Sequence, residues 1–182
     1  MRQYENKRVR NGFTLVEIII VVVILSIAAL MAIPMVSNAA DVQVRAAANR
    51  IAADLDYVKN LSITHQDRYL IIFDEVNDSY EIRVDPFGLS DVIDHPVNPG
   101  PFVVDFSSIG SLDRVDIDAA DFDSGSSVSN ALTFDYLGSP YSGTSTPLLT
   151  GQITLQDKQT GNFKLYVKIE PVTGYVTISD TP

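Results

Sequence analysis

The sequence predicts an α+β protein in which one long N-terminal helix is followed by a head of antiparallel strands. No residue from Ile18 to Ala40 is charged, and beyond Ala40 apolar residues recur every three or four positions, which is the period of an amphipathic helix. After Ile63 the pattern changes to short apolar runs separated by Gly, Pro, Asn and Asp, which is typical of strands and turns. Because about 140 residues follow the uncharged run, we expect one globular domain there.

The uncharged run is long enough to be a membrane-spanning helix. At about 1.5 Å of rise per residue, Ile18–Ala40 exceeds the ~30 Å of a hydrocarbon core. We therefore expect a transmembrane helix over residues 13–40 and an exported head over residues 41–182. The preceding segment has a balance of +3, which the positive-inside rule keeps in the cytoplasm; its charges are Arg2, Lys7, Arg8 and Arg10 against Glu5. A secretory signal peptide cut near Ser37–Ala40, or a plain signal anchor, is the alternative.

Glu17 is a carboxylate at the head of the uncharged run, and neither a signal peptide nor a plain anchor requires one. An unpaired carboxylate in an apolar helix costs several kilocalories per mole, so Glu17 needs a partner. Glu17 also closes the motif Gly-Phe-Thr-Leu-Val-Glu at residues 12–17, which follows the basic segment. This motif resembles the processing signature of the type IV pilin and pseudopilin superfamily.

The resemblance implies roles for four residues. A prepilin peptidase would cut between Gly12 and Phe13, remove residues 1–12 as a leader peptide and methylate the new amino group of Phe13. Glu17 would pair with the positive N-terminus of a neighbouring subunit when the helix joins a filament. Pro34 matches a proline of the family, and because proline lacks a backbone donor we expect a kink or local melting of the helix there.

The amphipathic pattern predicts that the helix continues to about Ile63 and packs one stripe on the head. The residues expected to be buried share a three- or four-residue spacing; they are Val44, Ala47, Ala48, Ile51, Leu55, Val58 and Ser62. The residues expected on the opposite, solvated face are Arg45, Asn49, Arg50, Asp54, Asp56 and Lys59.

Apolar runs in the remainder predict the strands of the head. Tyr69–Phe73 and Tyr80–Val84 flank a turn rich in Asp and Asn and are typical of a β-hairpin. Residues 85–101 are too rich in Pro and Gly for a regular element and are expected to form a loop. Further strands are expected at Phe102–Phe106, at Leu132–Pro140 with a terminal Gly-Ser-Pro turn, and at Gln152–Leu155 and Lys164–Ile169. A final strand is expected after the Thr-Gly turn within residues 171–178.

The segment Asp113–Asp123 contains five aspartates and allows two interpretations. Calcium binds several oxygen ligands in a flexible loop, so a calcium site is one of them. The segment lacks the Asp-x-Asp-x-Asp-Gly core and the closing glutamate of an EF-hand. Because Val115 and Ile117 alternate with aspartates, a half-exposed strand fits the segment equally well.

The sequence does not indicate an enzyme. His65 and His95 are the only histidines, and no nucleophile elbow, phosphate-binding loop, zinc-ligand pair or dinucleotide motif accompanies them. We interpret both as solvated loop residues and predict no catalytic residue, no metal site and no cofactor. The chain has no cysteine, which excludes disulfides and metal-thiolate sites.

A narrower resemblance comes from the strand and turn Phe-Asp-x-x-Gly-x-Pro at residues 134–140. This element is similar to one shared by the H-class minor pseudopilins of type II secretion and the related FimT proteins, and the order of the following strands is similar as well. The resemblance implies a pilin-like fold, in which the C-terminal half of the helix packs on an antiparallel head of two sheets.

Two functions follow from this resemblance. The first is a minor pseudopilin of type II secretion, a single-pass inner-membrane protein with a periplasmic head. Its partners would be other pseudopilins, the inner-membrane assembly platform and prepilin peptidase. The alternative is a FimT-like minor type IV pilin in pilus assembly or DNA uptake. DNA binding needs clustered cations, but residues 13–182 carry 9 basic against 22 acidic residues, so no nucleic-acid partner is expected. Lys158, Lys164 and Lys168 could still form a local basic patch.

Overall fold

The computed structural model describes residues 13–84 and 91–182, with only the backbone for residues 30–39. A long helix, α1 (Leu15–His65), comes first. The strands that follow in the described part are β1 (Tyr69–Asp74), β2 (Ser79–Val84), β3 (Asp91–Val92), β4 (Val103–Asp105), β5 (Val115–Asp123), β6 (Val128–Ser129), β7 (Ala131–Phe134), β8 (Pro140–Ser142), β9 (Thr146–Pro147), β10 (Thr150–Asp157), β11 (Lys164–Ile169) and β12 (Val176–Ser179). The chain divides into two compact units, Met1–Asn38 and Ala39–Pro182.

Helix α1 has a side-chain cap at its start and a left-handed residue at its end. The Thr14 hydroxyl oxygen accepts the backbone N–H of Glu17 at 3.2 Å, as expected of an N-cap residue. At the other end Gln66 has φ 56°, and the N–H of Asp67 donates to the carbonyl of Ser62 at 3.3 Å, which is the Schellman arrangement. The prediction of a helix ending near Ile63 is therefore confirmed to within two residues.

The helical backbone continues through position 34, so the local melting predicted there is absent from the structure. The side chain of Pro34 lies outside the described residues. Within the part of the chain that is described, no helix carries an apolar stretch long enough to cross a membrane. The predicted span over residues 13–40 includes positions 30–39, whose side chains are not described.

The predicted buried stripe of α1 is confirmed residue by residue. All seven side chains are buried in the head: Val44, Ala47, Ala48, Ile51, Leu55, Val58 and Ser62. The predicted solvated face is wrong for Asp54, because its carboxylate accepts a hydrogen bond from the buried Tyr80 hydroxyl. Two cations of that face also have partners in the head: Lys59 Nζ donates to the Thr173 carbonyl at 2.6 Å, and the Arg45 guanidinium lies 5.0 Å from the Phe163 ring centroid.

The strands form two sheets in which every pairing is antiparallel. In the first sheet the order is β3-β2-β1-β7-β8-β9, and β4 pairs with β2 beside β3. In the second the order is β12-β11-β10-β5-β6. Aromatic rings meet between the sheets, with the centroids of Phe73 from β1 and Phe122 from β5 only 5.8 Å apart. The predicted α+β fold, with one long helix and two antiparallel sheets, is confirmed.

The predicted acidic segment is a strand. Residues Val115–Asp123 form β5, in which Val115, Ile117 and Phe122 are buried. The register with β10 shifts between Thr154 and Leu155, which leaves Asp118 without an opposite residue, as in a β-bulge. Of the two interpretations, the half-exposed strand is the one that the structure contains.

Two carboxylates of the β1–β2 turn cover the edge of β5 that β6 leaves unpaired. The side chain of Asp78 accepts the backbone N–H of Ile117 at 3.0 Å, and Glu75 accepts that of Ala120 at 2.8 Å. Exposed strand edges are sites of unwanted pairing, and carboxylates bonded to the N–H groups block such an edge. This contact also ties the first sheet to the second.

Candidate assembly surface

The first part of α1 is apolar and exposed on every side. Successive residues of a helix point about 100° apart, so the unbroken run Ile18–Leu25 covers the whole circumference. Each of these eight side chains is about half-exposed, and Phe13, Leu15, Val16 and Ile27 are exposed as well. A helix that is apolar all round is normally buried by other helices or by lipid. The chain's own described residues do not supply that cover.

Glu17 is the one charged residue between positions 13 and 29, and it lies in the first turn of α1. Its side chain is exposed. The only other polar side chains of this stretch have partners within the helix: Thr14 caps the N–H of Glu17, and the Ser26 hydroxyl donates to the Val22 carbonyl at 2.7 Å. An ionised carboxylate can only accept hydrogen bonds, so in an apolar bundle Glu17 would need a cationic or N–H donor.

Two processing predictions fall at the edge of the described chain. The leader, residues 1–12, including Gly12, lies outside the described residues. Phe13 is described and exposed, directly before the capping residue Thr14. Cleavage after Gly12 and methylation of Phe13 stay predictions, as does the pairing of Glu17 with a neighbouring subunit.

The residues of the Phe-Asp-x-x-Gly-x-Pro element each have a structural role. Phe134 is fully buried. The Asp135 carboxylate accepts the N–H groups of Leu137 at 2.9 Å and Ser139 at 2.8 Å, which fixes the turn between β7 and β8. Gly138 has φ 81°, a conformation that favours glycine, and a Cβ there would lie 2.9 Å from the Cδ1 atom of Ile63 in α1. The motif therefore locks this turn against the helix.

Two of the three lysines that could form a local basic patch are paired with carboxylates. Lys158 Nζ donates to Asp78 at 2.6 Å, and Lys164 Nζ donates to Asp118 at 2.7 Å. The hydrogen bond to Asp78 raises the pKa of Lys158 above its usual value, so this lysine keeps its charge and its partner. Two of the three cations are therefore neutralised by carboxylates of the head, which leaves little positive charge for a phosphate backbone.

The histidines and aspartates considered for chemistry have structural partners. His65 is the last residue of α1 rather than a loop residue, and its Nδ1 lies 2.6 Å from the Tyr69 hydroxyl. His95 Nδ1 accepts the N–H groups of Val97 and Asn98, both at 3.1 Å, and its ring stacks on Phe102. Within residues 13–84 and 91–182 no group of three His, Cys, Asp or Glu residues is placed to hold a metal ion.

Sequence reasoning missed a second exposed apolar surface, at the β7–β8 and β11–β12 turns. Its members are Tyr136, Leu137, Val172 and Tyr175. The signal was present, because tyrosine, leucine and valine are uncommon in turns built by Gly and Pro. The sequence does not show that these two turns, more than 30 residues apart in the chain, touch each other.

Comparisons with known proteins find one sequence motif, at the N-terminal segment, and one solved structure. The prokaryotic N-terminal methylation motif matches residues 7–33. A crystal structure of Pseudomonas aeruginosa (strain PAO1) type IV minor pilin FimU covers 76% of this chain and 88% of that chain, with 14% sequence identity and a TM-score of 0.46. No curated protein matches this sequence. The methylation motif confirms the predicted N-terminal signature, and the architecture of the head rests on the strand pairing given above.

Proposed function

We propose that this chain, which carries the N-terminal methylation motif of type IV pilins and pseudopilins, is a minor pseudopilin of type II secretion. It is a structural subunit and not an enzyme. It would insert in the inner membrane with its head in the periplasm, join a short filament through α1, and help to move exported proteins across the outer membrane. Prepilin peptidase and the inner-membrane assembly platform are its proposed processing and assembly partners.

The observation that carries this proposal is the exposed apolar start of α1 with one carboxylate in its first turn. Full burial of a Val, Leu or Ile side chain contributes roughly 1.5–3 kcal/mol, so Ile18–Leu25 provide a large driving force for a bundle or a bilayer. Apolar burial alone does not set a register between helices. Glu17 does, because its cost is offset only where a donor such as the Phe13 amine of a neighbour lies opposite it.

The choice of secretion over DNA uptake rests on charge. The head, residues 41–182, has 9 basic and 21 acidic residues, and two of the three lysines of the C-terminal hairpins are paired with aspartates. A DNA-binding subunit needs cations that are free to displace counterions from phosphates.

Two substitutions of Glu17 test the proposal in the chain's own host. Glu17→Ala would leave the neighbour's buried amine unpaired, at a cost of about 3–5 kcal/mol by analogy with broken buried ion pairs. Glu17→Gln keeps the shape but not the charge, and we expect it to be nearly as defective. Both variants should still reach the membrane fraction and begin at Phe13 by N-terminal analysis, whereas filament incorporation and secretion should fall sharply.

Asp56→Ala is the matched control, because it removes an exposed carboxylate from the same helix within the head. It should support normal secretion. Wild-type incorporation by both Glu17 variants would refute the proposed assembly role. Loss of transformation or piliation with intact secretion in a deletion strain would instead assign the chain to a type IV pilus. A mature start after Ala40 would show an ordinary signal peptide.

A further inference from the structure

Two turns of the head present apolar side chains to solvent. The β7–β8 turn spans Asp135–Ser139, and the β11–β12 turn spans Glu170–Tyr175. Together they expose four residues, which we call the turn surface: Tyr136 (51% exposed), Leu137 (69%), Val172 (81%) and Tyr175 (64%). The largest exposed apolar patch of a monomer is often an interaction site.

The two turns are in direct contact and rest on α1. A Cβ added at Gly174 would lie 3.0 Å from the Gly138 carbonyl oxygen and 2.8 Å from the Phe134 ring. Lys59 joins them, since its Nζ donates to the Thr173 carbonyl at 2.6 Å and its Cε would lie 3.2 Å from a Cβ at Gly138. The four exposed side chains of the turn surface therefore stand on two turns whose backbones are in contact.

The backbone that presents these side chains is held rigidly. Asp135 fixes the first turn through the N–H groups described above. In the second turn the N–H of Gly174 donates to the carbonyl of Glu170, and the N–H of Glu170 donates to the carbonyl of Tyr175, each at 2.9 Å. Apolar anchors on a preorganised support lose little conformational entropy on binding, which is typical of interface hot spots.

Val172 has a strained backbone conformation, and its own side chain is not packed in the head. Its φ is 71°, and the N–H of Thr173 donates to the carbonyl of Pro171 at 2.8 Å, so Val172 is the centre of a γ-turn of the rare, strained form. A β-branched residue at positive φ is a genuine outlier. Because its side chain is exposed, burial inside the head does not offset the strain; such outliers cluster at functional sites.

The turn surface is also nearly uncharged on a strongly acidic head. Asp135 is buried and bonded to the turn, so Glu170 is the one exposed charge that belongs to these two turns, and the Lys59 ammonium lies beside them with the opposite sign. The rest of the head carries most of its excess of acidic residues on the surface, which makes two such heads repel each other. A surface with little net charge is where a second acidic head can approach at a small electrostatic cost.

The size of the surface indicates which kind of partner can use it. With a full aromatic side chain worth about 150–250 Å², the four exposed residues offer roughly 500 Å². A stable interface between free proteins needs about 800 Å² on each side. The turn surface is therefore too small to hold a freely diffusing partner, but sufficient for one that another contact already keeps close, where the effective concentration is high.

We propose that the turn surface binds the head of a neighbouring subunit in the same filament, brought into reach by the apolar start of α1. This inference rests on the proposed filament function and adds the part of the head that makes the second contact. Val172 and Leu137 are its central anchors.

Site-specific crosslinking tests the contact. The chain has no cysteine, so one introduced cysteine carrying a thiol-directed photocrosslinker reports from a single position of the full-length protein in its host. Leu137→Cys and Val172→Cys should form adducts with a protein that itself carries an N-terminal methylation motif, identified by mass spectrometry. Val76→Cys, at an exposed residue of the β1–β2 turn, should not. Leu25→Cys reports helix assembly independently, and Glu17→Ala should abolish the adducts from the turn surface.

These probes separate the two proposals. Adducts from Leu25→Cys without any from Leu137→Cys or Val172→Cys would overturn the turn-surface inference and leave the filament function standing. No adduct from any position would overturn both. Adducts from Val172→Cys that persist with Glu17→Ala, or that contain a protein without the methylation motif, would show that the surface takes a different occupant and would overturn the inference as well.

A variant that stabilises the head gives a second test. Asparagine adopts positive φ more readily than valine, so Val172→Asn should raise the melting temperature while lowering the adduct yield from Leu137→Cys about tenfold. Val76→Asn, at a residue 90% exposed, is the matched control and should change neither. Unchanged adduct yield with Val172→Asn would overturn the inference, and so would a lowered melting temperature, because Val172 would then support the fold itself.

Discussion

Residues 18–25 and residues 44–62 belong to the same helix and are both rich in apolar side chains, yet only the second set is buried by the chain's own strands. The first set covers the whole circumference, and the second forms one stripe with polar residues opposite. One sheet surface can bury an apolar stripe, whereas a helix that is apolar all round needs neighbours on every side. The width of the apolar face therefore distinguishes a helix that completes a core from one that assembles with others.

The carboxylates of the two halves differ in the same way. Glu17 is exposed, and apart from Thr14 its neighbours in the helix are apolar side chains. Asp54 accepts a hydrogen bond from Tyr80, and Arg50 lies 3.8 Å away. The head therefore supplies the partners of the Asp54 carboxylate, and we expect a neighbouring subunit to supply the partner of Glu17. The Glu17 substitutions proposed above, with a cost of about 3–5 kcal/mol, are the largest effect expected from this difference.

Two leucines of α1 test whether its two halves differ in what they contribute to the stability of the head. Leu55 is fully buried, so Leu55→Ala should lower the free energy of unfolding of the head by about 3 kcal/mol through lost burial and the cavity left behind. Leu25→Ala makes the same chemical change at an exposed position and should leave the head's unfolding unchanged. Denaturant titration of the full chain in detergent, followed by near-ultraviolet circular dichroism, measures both. Similar losses in the free energy of unfolding from the two variants would contradict the conclusion that only the second half of α1 packs in the core of the head.

Substitutions of Asp78 test how much the covered edge of β5 contributes to the stability of the head. Asp78→Ala removes the acceptor for the Ile117 N–H and the partner of Lys158, and we expect a loss of about 2 kcal/mol. Asp78→Asn keeps an acceptor and tolerates the φ of 49° at this position, so its loss should stay below about 1 kcal/mol. Urea unfolding compares them, with Asp121→Ala as the exposed control on β5. Equal losses from both Asp78 variants would mean that the lysine pair, not the capped edge, is what matters.

The smallest expected effect concerns the pH dependence of Asp54. Burial raises the pKa of its carboxyl above the usual value, and the hydrogen bond from Tyr80 and the charge of Arg50 oppose this only in part. Because the folded pKa is higher than the unfolded one, the contribution of Asp54 to stability is greatest below the unfolded pKa and is lost as the pH rises through the folded pKa. Relative to Asp54→Asn, the wild type should therefore be more stable at about pH 3 than at about pH 7.

Urea titrations of the two proteins across this range measure that difference. Asp56→Asn, at an exposed position of the same helix, should run parallel to the wild type. A wild type that gains stability relative to Asp54→Asn as the pH rises would show that Arg50 and Tyr80 outweigh the burial of the carboxylate.

The sequence alone determined the features whose cause is local. The stripe from Val44 to Ser62 followed from the helical period, and each of its predicted residues is buried. The hairpin of β1 and β2 and the turn at Gly138 followed from the residues that turns require. The first half of α1 was identified as apolar on all sides by composition, and the methylation motif at residues 7–33 agrees with the signature at its start.

Tertiary structure alone decided which distant residues meet. Strands as short as β6, β8 and β9 have no periodicity of their own and exist because a longer neighbour offers them hydrogen bonds. Lys158 pairs with Asp78, which lies 80 residues away in the chain, so this lysine is part of an ion pair and not of a free basic patch. Tyr136 and Val172 join one surface only because Gly138 and Gly174 allow their turns to touch over Lys59. The local pattern of residues determines the secondary structure of each segment, but contact between segments depends on the path of the whole chain.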